Sequence, residues 1–427
     1  MELTSQPTSI SAAEQPLRPL TRLQQAMIAL AMVAMGAGMT INFVVVAPLA
    51  REAGLQEIQV AMILTLSAAL YALMIPWWGR LANRIGRKRV MVFSLFAMGL
   101  TNMAFLFALD AALKGVITGL SMFFLLVFVR IWFGLLSPGL QPASMAAMTD
   151  ATTSVNRAGG LGMLGASMSI GSILGPAGAT VLAPFGALAP IWGSIVLNLA
   201  VGVLLAFVLP PTRERRPAND ASAKPVPLSM RDPRVFPHLV FLFSYFVAVA
   251  MIQQTLGWFI EDRYAFVDKP GRTAEEAAVL FTGIAFACLA LSMVVVQFGF
   301  VQPRKPDPRR ILPIGLALVA TGYIGADLLY PFWAVCISFL AVGAGAALAV
   351  SAANALGSLS VSQTEQGSAA ALLSAAPPAG FIFGPLIGAG LYQVSSALPF
   401  MVAAAAMVCL AIYAVFVTAQ RPLSAAE

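Results

Sequence analysis

Charged residues are scarce in this sequence. Asp, Glu, Lys and Arg make up 10% of its 427 residues and hydrophobic residues make up 59%, whereas soluble domains contain about 25% charged residues. A helix that spans a membrane needs about 20 predominantly apolar residues, and stretches of that kind recur from Ala26 to Thr418. The scarcity of charge excludes an ordinary soluble protein and predicts an all-α integral membrane protein.

Residues that commonly bind metals or cofactors are also scarce. The sequence has one histidine, His238, and three cysteines, Cys288, Cys336 and Cys409, which lie in apolar segments without CxxC spacing. They predict neither a metal site nor a disulfide framework, and we expect no cofactor. No G-x-x-x-x-G-K-[ST] motif occurs, so ATP-driven transport would need a separate subunit. The lack of His, Asp and Glu clusters argues against a membrane enzyme.

Hydropathy predicts twelve membrane-spanning helices separated by short breaks. We place them at residues 25–49, 58–79, 90–110, 117–140, 159–183, 187–209, 237–260, 274–300, 310–328, 331–356, 367–392 and 397–418. The predicted N-terminal tail, residues 1–21, is disordered and is not a cleaved signal. Two six-helix halves follow, residues 22–209 and 237–418, joined by a solvated linker at residues 210–236. Residues 419–427 form the predicted C-terminal tail.

The positive charges predict the orientation of the chain in the membrane. Most of the 25 Lys and Arg residues fall in segments on the same side as the two termini, and Arg130 alone falls inside a predicted span. Because positively charged loops stay in the cytoplasm, both termini are expected there. The net charge of +7 is then explained by topology and by contact with anionic lipid headgroups. No nucleic-acid partner is needed to explain it.

A glycine–proline motif occurs in both predicted halves. Gly171-Ser-Ile-Leu-Gly175-Pro176 lies in the fifth span, and Gly380-Phe-Ile-Phe-Gly384-Pro385, followed by Gly388, lies in the eleventh. The repetition predicts two pseudo-symmetric halves, which can surround a site at the membrane midplane and rock about it. The alternative is that the motif only packs helices, since small residues allow close approach and proline bends a helix.

The segment after the second span resembles the loop signature of the major facilitator superfamily, G-x-L-a-D-R-x-G-R-K/R. It reads Gly79-Arg-Leu-Ala-Asn83-Arg84-Ile-Gly86-Arg87-Lys-Arg, with Asn83 where the family has aspartate. Its two glycines are expected to permit a tight turn at the membrane surface. The resemblance implies the superfamily's twelve-helix fold. It also implies a gate in which Arg84 or Arg87 pairs with Asp150 at the end of the fourth helix; the alternative is that Asp150 is a solvated helix-end acid.

Two further segments carry the same resemblance. Leu126-x-x-x-Arg130-x-x-x-Gly134 is similar to the family's second signature, which implies that Arg130 takes part in proton coupling or organises the helices beside the pathway. A charge inside a span is costly and marks a functional site; the alternative is an arginine that reaches the interface or donates to backbone carbonyls. The fifth-span motif resembles the signature of drug:proton antiporters, although Ala179 and Thr180 replace its paired glycines.

Polar residues inside the spans are candidates for the substrate pathway, because their side chains need internal partners or water. They are Asn42, Gln253, Gln254, Trp258 and Asn354. The alternative for each is interhelical hydrogen bonding without a substrate role. No Asp or Glu falls at mid-span, so proton coupling must use an acid near a helix end or another group.

These observations predict a secondary active transporter that works by alternating access. We expect a monomer in a bacterial inner membrane that exports a small amphipathic molecule, such as a drug-like compound or a siderophore, in exchange for protons. Few fixed charges in the spans favour a neutral or weakly ionic cargo. An importer, a uniporter and a non-transporting membrane sensor are the alternatives.

Overall fold

The computed structural model describes residues 20–152, 157–210, 228–268, 273–362 and 375–419, together with residues 365, 369, 372 and 373. Twelve long helices in these ranges are labelled α1 to α12, and the ranges contain no strand. They are Arg22–Glu52, Glu57–Ile85, Arg87–Leu113, Gly119–Ala151, Arg157–Leu182, Ala189–Val208, Phe236–Tyr264, Ala274–Arg304, Pro308–Leu328, Phe332–Leu359, Ala376–Val394 and Leu398–Ala419. We call the end of the bundle where α1 begins the terminal face, and the end where α1 finishes the opposite face.

The prediction of an all-α membrane protein is confirmed. Eleven helices are long and apolar enough to cross a membrane. The remaining one, α11, is a helix of 19 residues whose four glycines and three prolines lower its mean hydropathy. Most of the residues that precede it in the predicted eleventh span, 367–375, lie outside the described residues.

Several helices are longer than their predicted spans because they continue past the apolar core. Helix α2 extends to Ile85 and α3 begins at Arg87, so Gly86 alone makes the turn, with a φ of 98° that favours glycine. The prediction that Gly79 also belongs to this turn is wrong: it lies within α2, because residues 80–85 are compatible with a helix. Helix α4 continues to Ala151, with an interruption after Leu136.

The repeated glycine motif makes the same helix contact in each half. In the N-terminal half, a side chain at Gly171 would collide with the carbonyl oxygen of Val33, and a Cβ at Gly175 would lie 2.7 Å from the carbonyl oxygen of Ala37. These contacts pack α5 directly on the backbone of α1. Pro176 follows inside α5.

In the C-terminal half, the equivalent contacts pack α11 on α7. A Cβ at Gly380 would lie 2.6 Å from Cβ of Phe246, and one at Gly384 would lie 2.6 Å from the carbonyl oxygen of Val247. Gly388 continues this close approach one turn later, against Met251, and Pro385 lies inside α11. The two halves are therefore built alike, as the repeat predicts.

The predicted linker lies partly outside the described residues, because only its ends, residues 210 and 228–236, are described. At its second end, Arg234 forms hydrogen-bonded ion pairs with Asp232 and Glu365, with nitrogen–oxygen distances of 2.9 Å. Hydrogen bonds from Arg234 lower the pKa of Asp232 and lower that of Glu365 to about 2. The start of α7 is thus fixed to the segment between α10 and α11. The domain boundaries stay a prediction.

The motif glycines can be tested with a matched pair in one helix. Gly384→Ala places a methyl group against α7 and is expected to lower the stability by about 1–3 kcal/mol through overpacking. Gly390→Ala meets no atom within 4 Å, so it should be neutral or slightly stabilising, because alanine favours helix. Thermal unfolding of the purified protein in detergent measures both; equal stabilities of the two variants would contradict the proposed packing.

Candidate substrate pathway and gate

Arg130 is buried in the middle of α4, with 3% of its surface exposed. Its Nη2 donates to Oδ1 of Asn42 on α1 at 2.9 Å, and its guanidinium carbon lies 3.9 Å from the ring centroid of Phe105 on α3. The Asn42 amide nitrogen donates to the carbonyl oxygen of Gly38 at 2.8 Å, which orients the amide oxygen towards Arg130. Arg130 therefore joins three helices of the N-terminal half. It neither extends to the interface nor donates to a backbone carbonyl.

The guanidinium of Arg130 has no counterion among the described residues. No carboxylate of the described chain lies within 4.0 Å of its nitrogens, and its Nε has no hydrogen-bond partner. Every described Asp and Glu lies in a loop or within one turn of a helix end. A buried charge without a partner is costly in an apolar environment. Arg130 could therefore bind an anion, and the described residues supply none.

Trp258 lies where α7 meets α1 across the two halves. Its indole Nε1 donates to the carbonyl oxygen of Ala47 at 2.7 Å, and the side chain is fully buried. Next to it, a Cβ at Gly257 would lie 3.0 Å from Cδ of Pro48. The two halves are in direct contact here, and the Trp258 side chain fills the space between α7 and α1.

Gln254 lies one turn from Trp258 on the same face of α7, as their spacing predicts. It is 1% exposed, and neither Oε1 nor Nε2 has a hydrogen-bond partner among the described residues. The neighbouring Gln253 is half-buried, with an unpaired Oε1. Asn354 is exposed and donates to the carbonyl oxygen of Val350 in its own helix. A substrate role for these residues stays a prediction.

Asn42 and Gln254 lie at similar depths on facing helices. Starting from the contact between Ala47 and Trp258, Asn42 is five residues and Gln254 four residues nearer the terminal face. With a rise of about 1.5 Å per residue, both displacements are about 6–8 Å. Arg130, Asn42 and Gln254 thus form a polar layer just below the contact that closes the interface. This layer combines side chains from both halves.

Ion pairs close the opposite face between the halves. Arg51 at the end of α1 lies 2.5 Å from Asp262 and 3.8 Å from Glu261 at the end of α7, and 3.0 Å from Glu57 of α2. Tyr392 of α11 donates to Asp262 at 2.6 Å. These residues could not be singled out from the sequence, because charges at the ends of spans are also explained by topology.

Several contacts between the two halves lie on the side of the bundle towards the opposite face. Besides the ion pairs and Trp258, Gly283 of α8 packs against Thr180 of α5, and the Phe43 ring lies 5.9 Å from that of Phe381. The ion pairs, the Trp258 contact and the contact of Gly283 with Thr180 lie between mid-helix and the opposite face. The opposite face of the transporter is closed in this conformation.

On the terminal face, Arg87 and Asp150 form an ion pair that connects the start of α3 with the end of α4. Arg87 also donates to the carbonyl oxygen of Ala146. Arg84 and Asn83 are exposed. The predicted partner of Asp150 is therefore Arg87 in this structure. Its gating role stays a prediction.

Two similar helical halves that meet next to a buried polar layer form the architecture of a membrane transporter. The sequence model of the Major Facilitator Superfamily matches residues 26–305 and 304–427 of this chain. The chain belongs to this family. It is therefore a transporter and not an enzyme.

Known proteins agree with this assignment. The chain is 24% identical to Multidrug resistance protein 2 of Bacillus subtilis (strain 168), over 78% of this chain and 80% of the relative. It is 26% identical to the class B Tetracycline resistance protein of Escherichia coli, over 77% and 78%. A crystal structure of a bacterial homolog of the human lysosomal transporter Spinster has the same fold, with a TM-score of 0.63 at 15% identity, covering 94% of this chain and 96% of that one.

The Arg87–Asp150 pair is suited to a double-mutant cycle. Asp150→Asn leaves Arg87 with less compensation for its charge, and the side chain of Arg87 is only 9% exposed; a loss of about 1–3 kcal/mol is expected. Combined with Arg87→Gln, the loss should be smaller than the sum of the two single effects. The exposed Lys114–Asp110 pair is the control, with a coupling of about 0.3–0.5 kcal/mol. Additive effects at Arg87 and Asp150 would argue against a latch.

Proposed function

We propose that the chain is a secondary active transporter that exports a small amphipathic organic molecule across a bacterial inner membrane by alternating access. The observation that carries this proposal is the polar layer of Arg130, Asn42 and Gln254, which combines side chains of the two halves directly below their closed contact. Such a layer is where a cargo is bound when access switches from one face to the other. The multidrug and tetracycline resistance proteins it resembles support export.

The proposed orientation places both termini in the cytoplasm, because the positively charged segments lie on the terminal face. In this orientation, the closed opposite face is the outer one, and the structure represents an inward-facing state. A monomer is sufficient, since the two halves together form the pathway. The lipids around it include anionic headgroups that contact the basic terminal face.

Protons are the proposed coupling ion. The described acids lie near helix ends, and several of them, including Glu52 and Glu275, face each other across the halves on the opposite face. Two neighbouring carboxylates share a proton more readily than isolated ones do. Closure of the opposite face therefore changes the proton affinity of acids at the interface, although none of them is at mid-span.

Transport can be measured in proteoliposomes with an imposed inward proton gradient and a panel of dyes, antibiotics and siderophores. The wild type is expected to move at least one compound in a gradient-dependent manner. Arg130→Ala should reduce this flux at least about tenfold, because the polar layer loses its charge. Lys114→Ala, which changes a side chain that is 67% exposed, is the control.

The alternatives give different results in this assay. Movement in the direction of the proton flow would indicate an importer, and gradient-independent movement would indicate a uniporter. If the folded protein moves none of the compounds, the proposal of export loses its support and a non-transporting sensor is favoured.

A further inference from the structure

We propose that the cargo carries an anionic group, such as a carboxylate or a sulfonate, and that this group binds at Arg130, with Asn42 and Gln254 beside it. This inference rests on the proposed transport function and specifies the class of its cargo. It modifies the expectation of a neutral or weakly ionic cargo, which followed from the small number of charges and not from their sign.

The polar layer contains a buried positive charge and no negative charge among the described residues. Arg130 is 3% exposed, and the described residues place no carboxylate within 4.0 Å of it. Removing a cation from water without an anion is costly, and Phe105 compensates only part of this cost by its contact with one face of the guanidinium. A cargo that brings a negative charge supplies the missing part when it binds, whereas a cationic cargo would be repelled.

The hydrogen-bonding groups that lack partners also favour an anionic ligand. A guanidinium has five N–H donors in a planar arrangement that fits carboxylate and sulfonate oxygens. One of them is used by Asn42, while the Nε of Arg130 has no partner. The amide of Gln254 is also unpaired at both atoms in the described part of the chain. An anion close to Arg130 would therefore bind donors that are already buried and oriented.

The surroundings of the layer explain why the cargo is an organic anion and not a small inorganic one. Phe43 of the N-terminal half is the residue next to Asn42, and its ring centroid lies 5.9 Å from that of Phe381 of the C-terminal half. Phe246 adds a third ring, 6.5 Å from Phe381. An apolar or aromatic body attached to the anionic group would pack against these rings.

The first test compares two ligands of almost the same shape. 2-Naphthalenesulfonate carries a permanent negative charge, and 2-naphthalenesulfonamide is its neutral counterpart. Titration of each ligand against the purified protein, followed by thermal unfolding, should show about tenfold or tighter binding of the sulfonate, because charge-assisted hydrogen bonds exceed neutral ones by this amount. Equal binding, or no binding of either ligand at millimolar concentration, would overturn the proposal.

The second test changes the charge of the site without a ligand. Asn42→Asp places a carboxylate at the existing 2.9 Å hydrogen bond with Arg130. The variant loses the amide hydrogen bond to the carbonyl oxygen of Gly38, but the new pair of opposite charges is stronger than that neutral hydrogen bond, so the unfolding temperature is expected to rise. Sulfonate binding should weaken at least about tenfold because the new carboxylate occupies the anion site. Misfolding cannot produce this combination. Gln302→Glu, the same chemical change at an exposed position near the end of α8, should affect neither property.

The opposite outcome at Asn42 is equally informative. If the folded Asn42→Asp protein keeps the full sulfonate affinity, Arg130 is not an anion site; a lower unfolding temperature alone would report the lost hydrogen bond to Gly38. These binding measurements do not depend on a proton gradient. The cargo inference therefore fails when the sulfonate has no advantage, and the transport proposal fails separately when no compound moves in proteoliposomes.

Discussion

The interior of a bilayer offers no hydrogen-bonding partners, and the whole structure is organised by this constraint. Helices satisfy the backbone internally, and glycines allow α5 and α11 to pack on the backbones of α1 and α7. Charged side chains gather at the helix ends, where water and headgroups solvate them. Arg130 is the exception, since it lies at the centre of α4 with an amide and an aromatic ring as its visible neighbours.

The opposite face is closed by contacts that connect the two halves. The ion pairs of Arg51 are partly exposed, and each of them alone contributes little free energy. The Trp258 hydrogen bond is fully buried and is therefore more costly to lose. A closure of this kind combines one buried contact with several weak ones, which suits an interface that must open repeatedly.

The sequence predicted the number and the order of the helices, because twelve apolar segments leave few alternatives. The repeated glycine motif correctly predicted two similar halves, since its spacing reflects a direct backbone contact. Helix ends were less predictable: Gly79 resembled a turn glycine, yet the residues after it continue the helix into the aqueous region. Hydropathy marks where the apolar core ends and does not mark where a helix ends.

The candidate site was only partly predictable for a related reason. Arg130, Asn42 and Gln254 stand out as polar residues in apolar segments, but their common depth depends on how α1 and α7 face each other. The lack of an acid near Arg130 was visible in the sequence only as the absence of mid-span carboxylates. Arg51 and Asp262 could not be identified, because their pairing joins residues that are far apart in the chain.

The most direct test of the account measures both faces at once. In a variant whose three cysteines are replaced, spin labels at Val116 and Val267 report on the opposite face, and labels at Leu23 and Leu359 report on the terminal face; all four side chains are exposed. Asp262→Arg should separate the first pair and bring the second pair together in pulsed electron paramagnetic resonance, because Arg51 would then repel α7. Distances that change on one face alone, or in the same direction on both, would contradict alternating access between the two halves.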